Sequence, residues 1–393
     1  MRLFHGMTLS DQLDSLAAFE QSPYPVVSLY LNTQPGSTGK DQYQTFVRKE
    51  FAARSRTYRD HSPERESLDK DLERISRYLE TELQPSANGV AIFACSAGEL
   101  FDAVQLTAPI QRHSLYIGDQ PHLYPLARLE SQYPRYAAVL TDTNSARILV
   151  VATGEVVDER ELKGVKTRRT SQGGWSQARF QRHLENFHLQ HVKEVVDVLD
   201  RIVQEEGIEQ IVVAGDEVVT PLLREQMPKR LAEKIVDQVR LEAAAPADEI
   251  LRMTLEAMKK SDQASDIEAV DSVVGAYRAG GLGVVGPEET LEALIQGQVD
   301  TLLINASVRD LESLGTPSVQ SAANDAGIEE PAVEASSAGE AAEGNPQAVR
   351  IADELIAKAK QTSARIKFIE DSALLAPYGG VAAQLRFRGG LVR

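Results

Sequence analysis

The chain has 393 residues, with 58 Asp and Glu against 42 Lys and Arg, a formal net charge of −16 at pH 7. This balance argues against a general DNA-coating or membrane-coating role, so contact with phosphate should be confined to a patch. The single cysteine, Cys95, excludes internal disulfides and zinc fingers and fits a reducing cytoplasm. No stretch reaches the roughly 18 apolar residues of a membrane span. We therefore expect a cytoplasmic protein of two to four domains that makes no membrane contact.

The first region, residues 1–130, is predicted to be an α/β domain. A helix is expected over residues 8–20, and a long helical stretch is expected to break near residues 61–63. The apolar runs PYPVVSLYLNT, NGVAIFACSAG and LFDAVQLTAPI are typical of strands, and the second of them places Cys95 in a buried strand.

The second region, residues 131–245, begins with three strand-like runs joined by short polar turns, which predicts a meander. A helix is expected over about 176–206, followed by a buried strand at 209–215 and a helix after Pro221. Apolar residues at three- and four-residue spacing predict the buried stripe of the long helix. They are Phe180, Leu184, Phe187, Val195, Leu199 and Ile202.

The third region, residues 246–393, is predicted to start with a helix over about 247–280. A strand, a helix opened by Pro287 and another strand follow. Residues 313–348 are poor in bulky apolar side chains and rich in Ala, Ser, Gly and Glu, which predicts a disordered acidic insertion. A helix and two strands are then expected to complete the domain.

One segment reverses the acidic balance of the chain. From Arg160 to Lys193 there are eight Lys and Arg against two acids, a local charge of +6. Three of the seven histidines, His183, His188 and His191, also lie there. A local reversal of this size indicates a polyanion partner for this segment. The histidines lack a metal-binding motif, and we interpret them as part of a polar or RNA-facing helix surface.

Within this segment, Gly173, Gly174 and Trp175 should form the tip of an exposed loop. Two interpretations of Trp175 stay open: it packs against its own domain, or the loop enters an RNA-lined cavity where the indole stacks on a base. In the second case the flanking residues would bind RNA, with Ser176 also capping the helix. The candidate RNA-binding residues are Lys166, Arg168, Arg169, Ser176, Arg179, Arg182 and His183. No cofactor and no metal ion is expected, since no nucleotide-binding loop is found.

The stretch GGWSQARFQRHLENFHLQHVKEV resembles the GGQ loop and following helix of the archaeal and eukaryotic peptide chain release factors. Trp175 occupies the position of the glutamine. The positions that match are Gly173, Gly174, Ser176, Arg179, Phe180 and Arg182. The blocks GVVGPEETLEALIQGQVDTLLI, KQTSARIKFIED and YGGVAAQLRF are similar to the C-terminal domain of the same factors, and the order of the blocks is the more specific signal.

The chain is thus identified as a bacterial relative of these factors, a group that includes the Pelota- and Balon-like proteins and peptidyl-tRNA hydrolases. The resemblance implies three release-factor-like domains: an α/β N-terminal domain, a ribonuclease-H-like central domain with the loop, and a C-terminal domain like kink-turn-binding proteins. It implies the ribosome, through its rRNA, and peptidyl-tRNA as partners, and a translational GTPase bound through the C-terminal domain.

Two departures from the family pattern bear on function. The stop-codon-reading segment NIKS would fall near residues 54–66 and is absent, so codon-specific termination is not expected. At Trp175, a backbone N–H can still stabilise an oxyanion, because any residue except proline retains it. The side chain, however, offers one donor and far more bulk than glutamine.

Three hypotheses follow. In the first, Gly173, Gly174 and Trp175 act in catalysis, and the protein enters the ribosomal A site and hydrolyses or cleaves peptidyl-tRNA on stalled ribosomes without reading a codon. In the second, the same loop anchors a non-catalytic hibernation factor. In the third, weaker hypothesis, the protein binds RNA independently of the ribosome.

Overall fold

The computed structural model describes residues 8–35, 43–142, 145–152, 154–163, 176–215, 219–242, 244–311 and 346–388. In these ranges the chain forms helices and strands in three sheets, so the predicted mixed α/β class is confirmed. The helices are α1 (Leu9–Ala17), α2 (Tyr43–Ser55), α3 (Pro63–Thr81), α4 (Tyr124–Gln132), α5 (Ser176–Glu205), α6 (Val219–Gln226), α7 (Lys229–Ala232), α8 (Ala247–Arg278), α9 (Pro287–Ile295) and α10 (Pro346–Gln361). The strands are β1 (Val26–Asn32), β2 (Gly89–Cys95), β3 (Leu100–Leu106), β4 (Ser114–Gly118), β5 (Tyr136–Thr141), β6 (Ser145–Ala152), β7 (Glu155–Lys163), β8 (Gln210–Gly215), β9 (Ile235–Val239), β10 (Gly283–Val285), β11 (Val299–Asn305), β12 (Arg365–Ile369) and β13 (Val381–Leu385).

The chain divides into two compact units. Unit 1 combines Met1–Gln132 with Asp266–Arg393, and unit 2 is Tyr133–Ser265. The second division falls inside α8. The three-domain organisation, with boundaries at residues 130 and 245, stays a prediction.

Unit 1 contains two four-stranded sheets, ordered β3-β2-β1-β4 and β10-β13-β11-β12. The first sheet is antiparallel throughout. In the second, β11 and β12 are parallel, while β13 runs antiparallel to both of its neighbours. Cys95 ends β2 fully buried, as predicted. Each sheet alternates its side chains between two apolar layers, because successive residues of a strand point to opposite faces.

The two sheets of unit 1 share one core. Side chains such as Tyr30 and Phe93 from the first sheet join the same buried cluster as Leu302 and Ile304 from the second. Helices α1, α4, α9 and α10 contribute to this cluster. The opposite face of the first sheet packs against α2 and α3, and that of the second packs against the end of α8. Residues far apart in sequence therefore stabilise one another within unit 1.

A buried polar network crosses this core. The Asp353 carboxylate of α10 lies 2.7 Å from Nδ1 of His122. Its other oxygen accepts the backbone N–H groups of Leu123 and Tyr124, each at 2.9 Å, at the start of α4. The Tyr124 hydroxyl donates in turn to the carbonyl of Asn305 in β11 at 2.6 Å. Each buried oxygen of Asp353 thus has a partner, as a buried carboxylate requires.

Unit 2 is built on one five-stranded sheet, ordered β7-β6-β5-β8-β9. The predicted meander is confirmed, since β6 pairs antiparallel with both β5 and β7. Strands β8 and β9 continue the sheet in parallel with β5. One face packs against α5, α6 and α7, and the other packs against the first half of α8.

Gly215 ends β8 and pairs with Thr141 at the end of β5. Its φ is +147°, and a Cβ at this position would lie 2.1 Å from the carbonyl oxygen of Thr141. Only glycine fits such a backbone conformation and contact. Glycine at this position therefore lets β8 pair with β5 at Thr141.

The predicted insertion at 313–348 needs one correction. Helix α10 begins at Pro346, two residues before the predicted start at Ala348, so the last residues of that range are helical. Proline is favoured in the first turn of a helix, where its missing N–H costs nothing. Residues 312–345 lie outside the described part of the chain.

Candidate nucleic-acid interface

The predicted loop and its basic flank fall largely outside the described residues. This holds for Gly173, Gly174 and Trp175, the candidate catalytic residues, and for Lys166, Arg168 and Arg169. Four further candidates lie in the first turns of α5, whose backbone is described while their side chains are not. These four are Ser176, Arg179, Arg182 and His183.

Helix α5 is anchored by its second half. Val195, Leu199 and Ile202 of the predicted stripe are buried against the sheet of unit 2, and Phe187 is half-buried. The side chains of Phe180 and Leu184 lie outside the description. A helix of 30 residues is about 45 Å long. Packing of the second half therefore fixes the direction of the whole helix, and its first turn follows the predicted loop directly.

Charge is distributed unevenly along α5. Residues 176–193 contain Arg179, Arg182 and Lys193 against the single acid Glu185. Residues 194–205 contain four acids against Arg201. The helix dipole adds partial positive charge at the N-terminus. The positive end of α5 is thus the end that adjoins the loop, which suits an anion partner there.

Strand β7, which leads into the loop, is an exposed edge strand whose charges are paired locally. Arg160 lies 3.0 Å from Asp158, and Lys163 lies 3.2 Å from Glu161. These two bases belong to the predicted +6 segment. Since acids next to them on the strand offset their charge, the excess positive charge belongs to the loop and to the start of α5.

The prediction for the histidines was wrong at one position. His191 is buried, at 6% exposure, and neither ring nitrogen has a hydrogen-bond partner among the described residues. It lies next to Val192 on the packed part of α5, beyond the basic turns. His188 is half-exposed. The spacing of apolar residues alone did not reveal that His191 lies on the packed face of α5.

A depression of about 240 Å³ lies at the opposite end of α5. Its charged walls pair with one another: Asp200 lies 2.5 Å from Arg230, and Glu209 lies 3.1 Å from Lys234. No charge in this hollow is left to attract a ligand. We therefore do not assign the candidate site to it.

Elsewhere in unit 2, burial raises the pKa of Tyr136 to about 12, and its hydroxyl lies 2.7 Å from that of Thr254. This tyrosine is a core residue of β5. Across the described ranges, no group of three or more His, Cys, Asp and Glu side chains is placed to hold a metal ion. In the same ranges, no helix is both long and apolar enough to cross a membrane.

Solved structures that resemble this chain include an archaeal termination factor, Dom34 and Pelota. An archaeal translation termination factor, aRF1, is 18% identical, covering 96% of this chain and 97% of its own, with a TM-score of 0.25. Dom34 of S. cerevisiae, described as a termination-like factor that interacts with Hbs1, is 9% identical over 77% of this chain and 80% of its own, with a TM-score of 0.41. Archaeal Pelota, in a ribosome-bound model with ABCE1, is 14% identical over 98% and 95%, also at 0.41. At these TM-scores the likenesses establish neither a shared domain arrangement nor a shared function.

No curated protein matches the sequence significantly. A family model does match, over residues 121–259, and its description is Bacterial archaeo-eukaryotic release factor family 10. The matched range contains the basic segment, the GGW tripeptide and all of α5. The predicted resemblance is thereby confirmed for residues 121–259, which match a bacterial family related to the archaeal and eukaryotic release factors.

Proposed function

We propose that the protein is a translation factor of release-factor type that binds the ribosomal A site without reading a codon. The observation that carries this proposal is the family match over residues 121–259, the range with the basic segment and α5. The positive end of α5 adds support, because rRNA and tRNA offer dense phosphate to a positively charged loop and helix end.

The topology of unit 2 supports a ribonuclease-H-like central domain. Counted along the chain, its five strands lie in the order 3-2-1-4-5, and the second strand alone runs opposite to the others. This is the arrangement of a ribonuclease-H-like sheet. Its helix after the third strand is α5, so the loop with Gly173, Gly174 and Trp175 would form the tip of this domain.

The last sheet of unit 1 supports a C-terminal domain like that of kink-turn-binding proteins. Its strands lie in the order 1-4-2-3, antiparallel around the fourth, β13. In the proposed assignment this domain carries the site for a translational GTPase. GTP hydrolysis by a purified translational GTPase on ribosomes would then rise when the protein is added.

In the enzymatic form of the proposal, the loop reaches the peptidyl-transferase centre and promotes hydrolysis of peptidyl-tRNA. The backbone N–H of Trp175 would stabilise the developing oxyanion, while Gly173 and Gly174 let the backbone approach the ester. Arg168, Arg169, Arg179 and Arg182 would neutralise phosphates.

Stalled ribosome–nascent chain complexes test this form. The protein should release the nascent peptide, and Gly174→Ala should slow release at least tenfold because an added methyl group alters the approach of the backbone. Lys260→Ala, at an exposed position of α8, is the matched control. If the unsubstituted protein releases no peptide, the enzymatic form of the proposal is wrong. Binding to the A site is then tested by co-sedimentation with ribosomes.

Trp175 favours a second candidate function, a non-catalytic hibernation factor that occupies the A site. An indole is larger than the glutamine amide and has only one donor with which to position water. In this case the protein would co-sediment with vacant ribosomes from starved cells, and peptidyl-tRNA would stay intact. Trp175→Gln provides the contrast: it should introduce or raise release activity while binding persists.

A further inference from the structure

A second basic surface lies in unit 1, on the exposed side of α2 and on the turn that joins α2 to α3. It consists of Arg48, Lys49, Arg56 and Arg59, which we call the basic turn. All four side chains are exposed. None has an acidic partner within 4.0 Å in the described ranges, although Arg65 nearby contacts two acids.

The turn that carries Arg56 and Arg59 has a defined conformation. The Thr57 hydroxyl donates to the carbonyl of Arg54 at 2.7 Å, and Ser62 caps α3 by accepting the N–H of Arg65 at 3.2 Å. His61 has a φ of +61°, a conformation that residues other than glycine seldom adopt. Such strain persists only where surrounding contacts fix it. The arginines are therefore attached to an ordered backbone, which lowers the entropy lost on binding.

Two of the acids near the turn are engaged, whereas Glu64 and Glu66 in the first turn of α3 have no ion pair within the described ranges. Asp60 lies 2.5 Å from Arg65, and Asp69 accepts the hydroxyl of Ser55 at 2.6 Å. Glu50, the one acid between Arg48 and Arg59, is buried at 8% exposure and belongs to the inner side of α2. Residues 48–66 hold six bases against four acids, so the basic turn keeps a net positive charge.

Stabilisation of the helix does not account for these residues. Bases in the last turn of a helix interact favourably with its dipole, and Arg54 occupies that position in α2. Arg56 and Arg59 come after the helix has ended, and Arg48 lies about two turns before its end. Arg48 and Arg56 are eight residues apart, and Arg59 follows three residues later. Bases spread along α2 and the following turn suit the binding of an extended anion better than they suit stabilisation of one helix terminus.

We propose that the basic turn binds phosphate groups of ribosomal RNA, giving unit 1 its own anchor in addition to the basic segment of unit 2. This inference rests on the proposed function. Guanidinium groups suit phosphate because their planar donors can form paired hydrogen bonds with its oxygens. Phosphate contacts position a protein without reading bases. The anchor would hold unit 1 on RNA irrespective of its sequence.

The test combines four neutral substitutions, Arg48→Gln, Lys49→Gln, Arg56→Gln and Arg59→Gln. The control protein carries four changes of the same charge at exposed lysines, namely Lys70→Gln, Lys229→Gln, Lys259→Gln and Lys260→Gln. Affinity for purified ribosomes and for protein-free rRNA is measured over a range of KCl concentrations. Thermal unfolding verifies that both variants are folded.

The basic-turn variant should bind ribosomes and protein-free rRNA at least tenfold more weakly than the control. Its plot of log K against log salt should be shallower by about 3, since each lost phosphate contact removes roughly 0.7 from the slope. Equal affinity and slope for the two variants would overturn the inference and leave the proposed function standing. A loss on whole ribosomes only would overturn it too, because the partner would then be an acidic protein surface. If the unsubstituted protein binds neither ribosomes nor rRNA, the proposed function fails as well.

Discussion

Units 1 and 2 show two different ways of building a stable body from an acidic chain. Unit 1 brings together two sheets from opposite ends of the sequence and joins them through a shared apolar cluster and the Asp353 network. Unit 2 is continuous in sequence, and its single sheet is packed between helices on both faces. The difference indicates that unit 1 depends on apolar and polar contacts between distant parts of the sequence, whereas unit 2 depends on packing within one continuous segment.

The largest effect is expected from Asp353→Ala. It removes the buried carboxylate that contacts the His122 ring and accepts two backbone N–H groups, so unit 1 should lose about 3–5 kcal/mol of stability. Hydrogen exchange should accelerate in β1, β2, β11 and β13 and stay unchanged in β5 and β8. Asp119→Ala is the control, because its ion pair with Arg350 is largely exposed and should contribute less than about 1 kcal/mol. Equal acceleration in both units would contradict the distinction between them.

The corresponding change in unit 2 is Gly215→Ala. The added Cβ would collide with the Thr141 carbonyl, which belongs to the backbone and cannot rotate away, so about 2–3 kcal/mol should be lost. Exchange should now accelerate in β5 and β8 and not in the sheets of unit 1. Gly275→Ala in α8 meets nothing within 4 Å and should leave stability unchanged or raise it by up to about 1 kcal/mol. If Gly215→Ala leaves the free energy of unfolding unchanged, Gly215 and the Thr141 carbonyl are farther apart than described.

A smaller effect is expected at Asp71, a second buried carboxyl of unit 1. One oxygen accepts the Ser96 hydroxyl at 2.5 Å, while the other has no hydrogen-bond partner in the part of the chain that the structure describes. Burial raises the pKa of Asp71, against the hydrogen bonds from Ser96 that lower it. A folded state with a raised carboxyl pKa holds its proton longer than the unfolded state. The stability from this group is therefore fully present below the unfolded pKa and is lost as pH rises through the folded one.

Asp71→Asn removes this titration while keeping an oxygen that can accept from Ser96. At pH 7 the variant should be more stable than the parent by about 1 kcal/mol, and the advantage should disappear near pH 3. Urea unfolding at the two pH values measures the difference. A variant that is less stable at pH 7 would show that the carboxylate is stabilised in a way that its contacts do not explain.

The smallest effect concerns His113. Burial lowers its pKa, and its Nδ1 accepts the backbone N–H of Asn32 at 3.1 Å, which requires that nitrogen to be unprotonated. The contribution is therefore fully present above the unfolded pKa of about 6.5 and is lost as pH falls towards the lowered folded value. Unit 1 should melt at a lower temperature at pH 5 than at pH 7.5, and His113→Asn should reduce that difference. An unchanged difference would assign the acid sensitivity to other groups.

Much of the architecture could be predicted from the sequence because its elements are strongly periodic. The meander of β5 to β7, the span of α5 and the strand–helix–strand order around Pro287 all agree with the structure. The five-residue strands β4 and β9 were not predicted, since short runs with little apolar alternation carry no clear signal. The union of the two sheets in unit 1 could not be foreseen either, because it depends on contacts more than 200 residues apart, such as His122 with Asp353.

The candidate site, too, could be predicted only in part from the sequence. Local composition identified the basic segment, and the family match covers it. Composition could not separate the paired bases Arg160 and Lys163 from the rest, or the buried His191 from the half-exposed His188. The basic turn was missed even though residues 48–59 contain five bases against one acid. A count of charged residues, as made for the basic segment, identifies these residues as well.

Binding to ribosomes tests the central claim most directly. Purified protein is sedimented with ribosomes whose A site is vacant, in parallel with a variant in which five bases are replaced by glutamine. The five are Lys166, Arg168, Arg169, Arg179 and Arg182. We expect the parent protein to co-sediment in a salt-sensitive manner and to be displaced by A-site tRNA, and the variant to stay in the supernatant. Equal sedimentation of the two proteins, or none of the parent, would contradict the assignment of the basic segment as the contact with the ribosome.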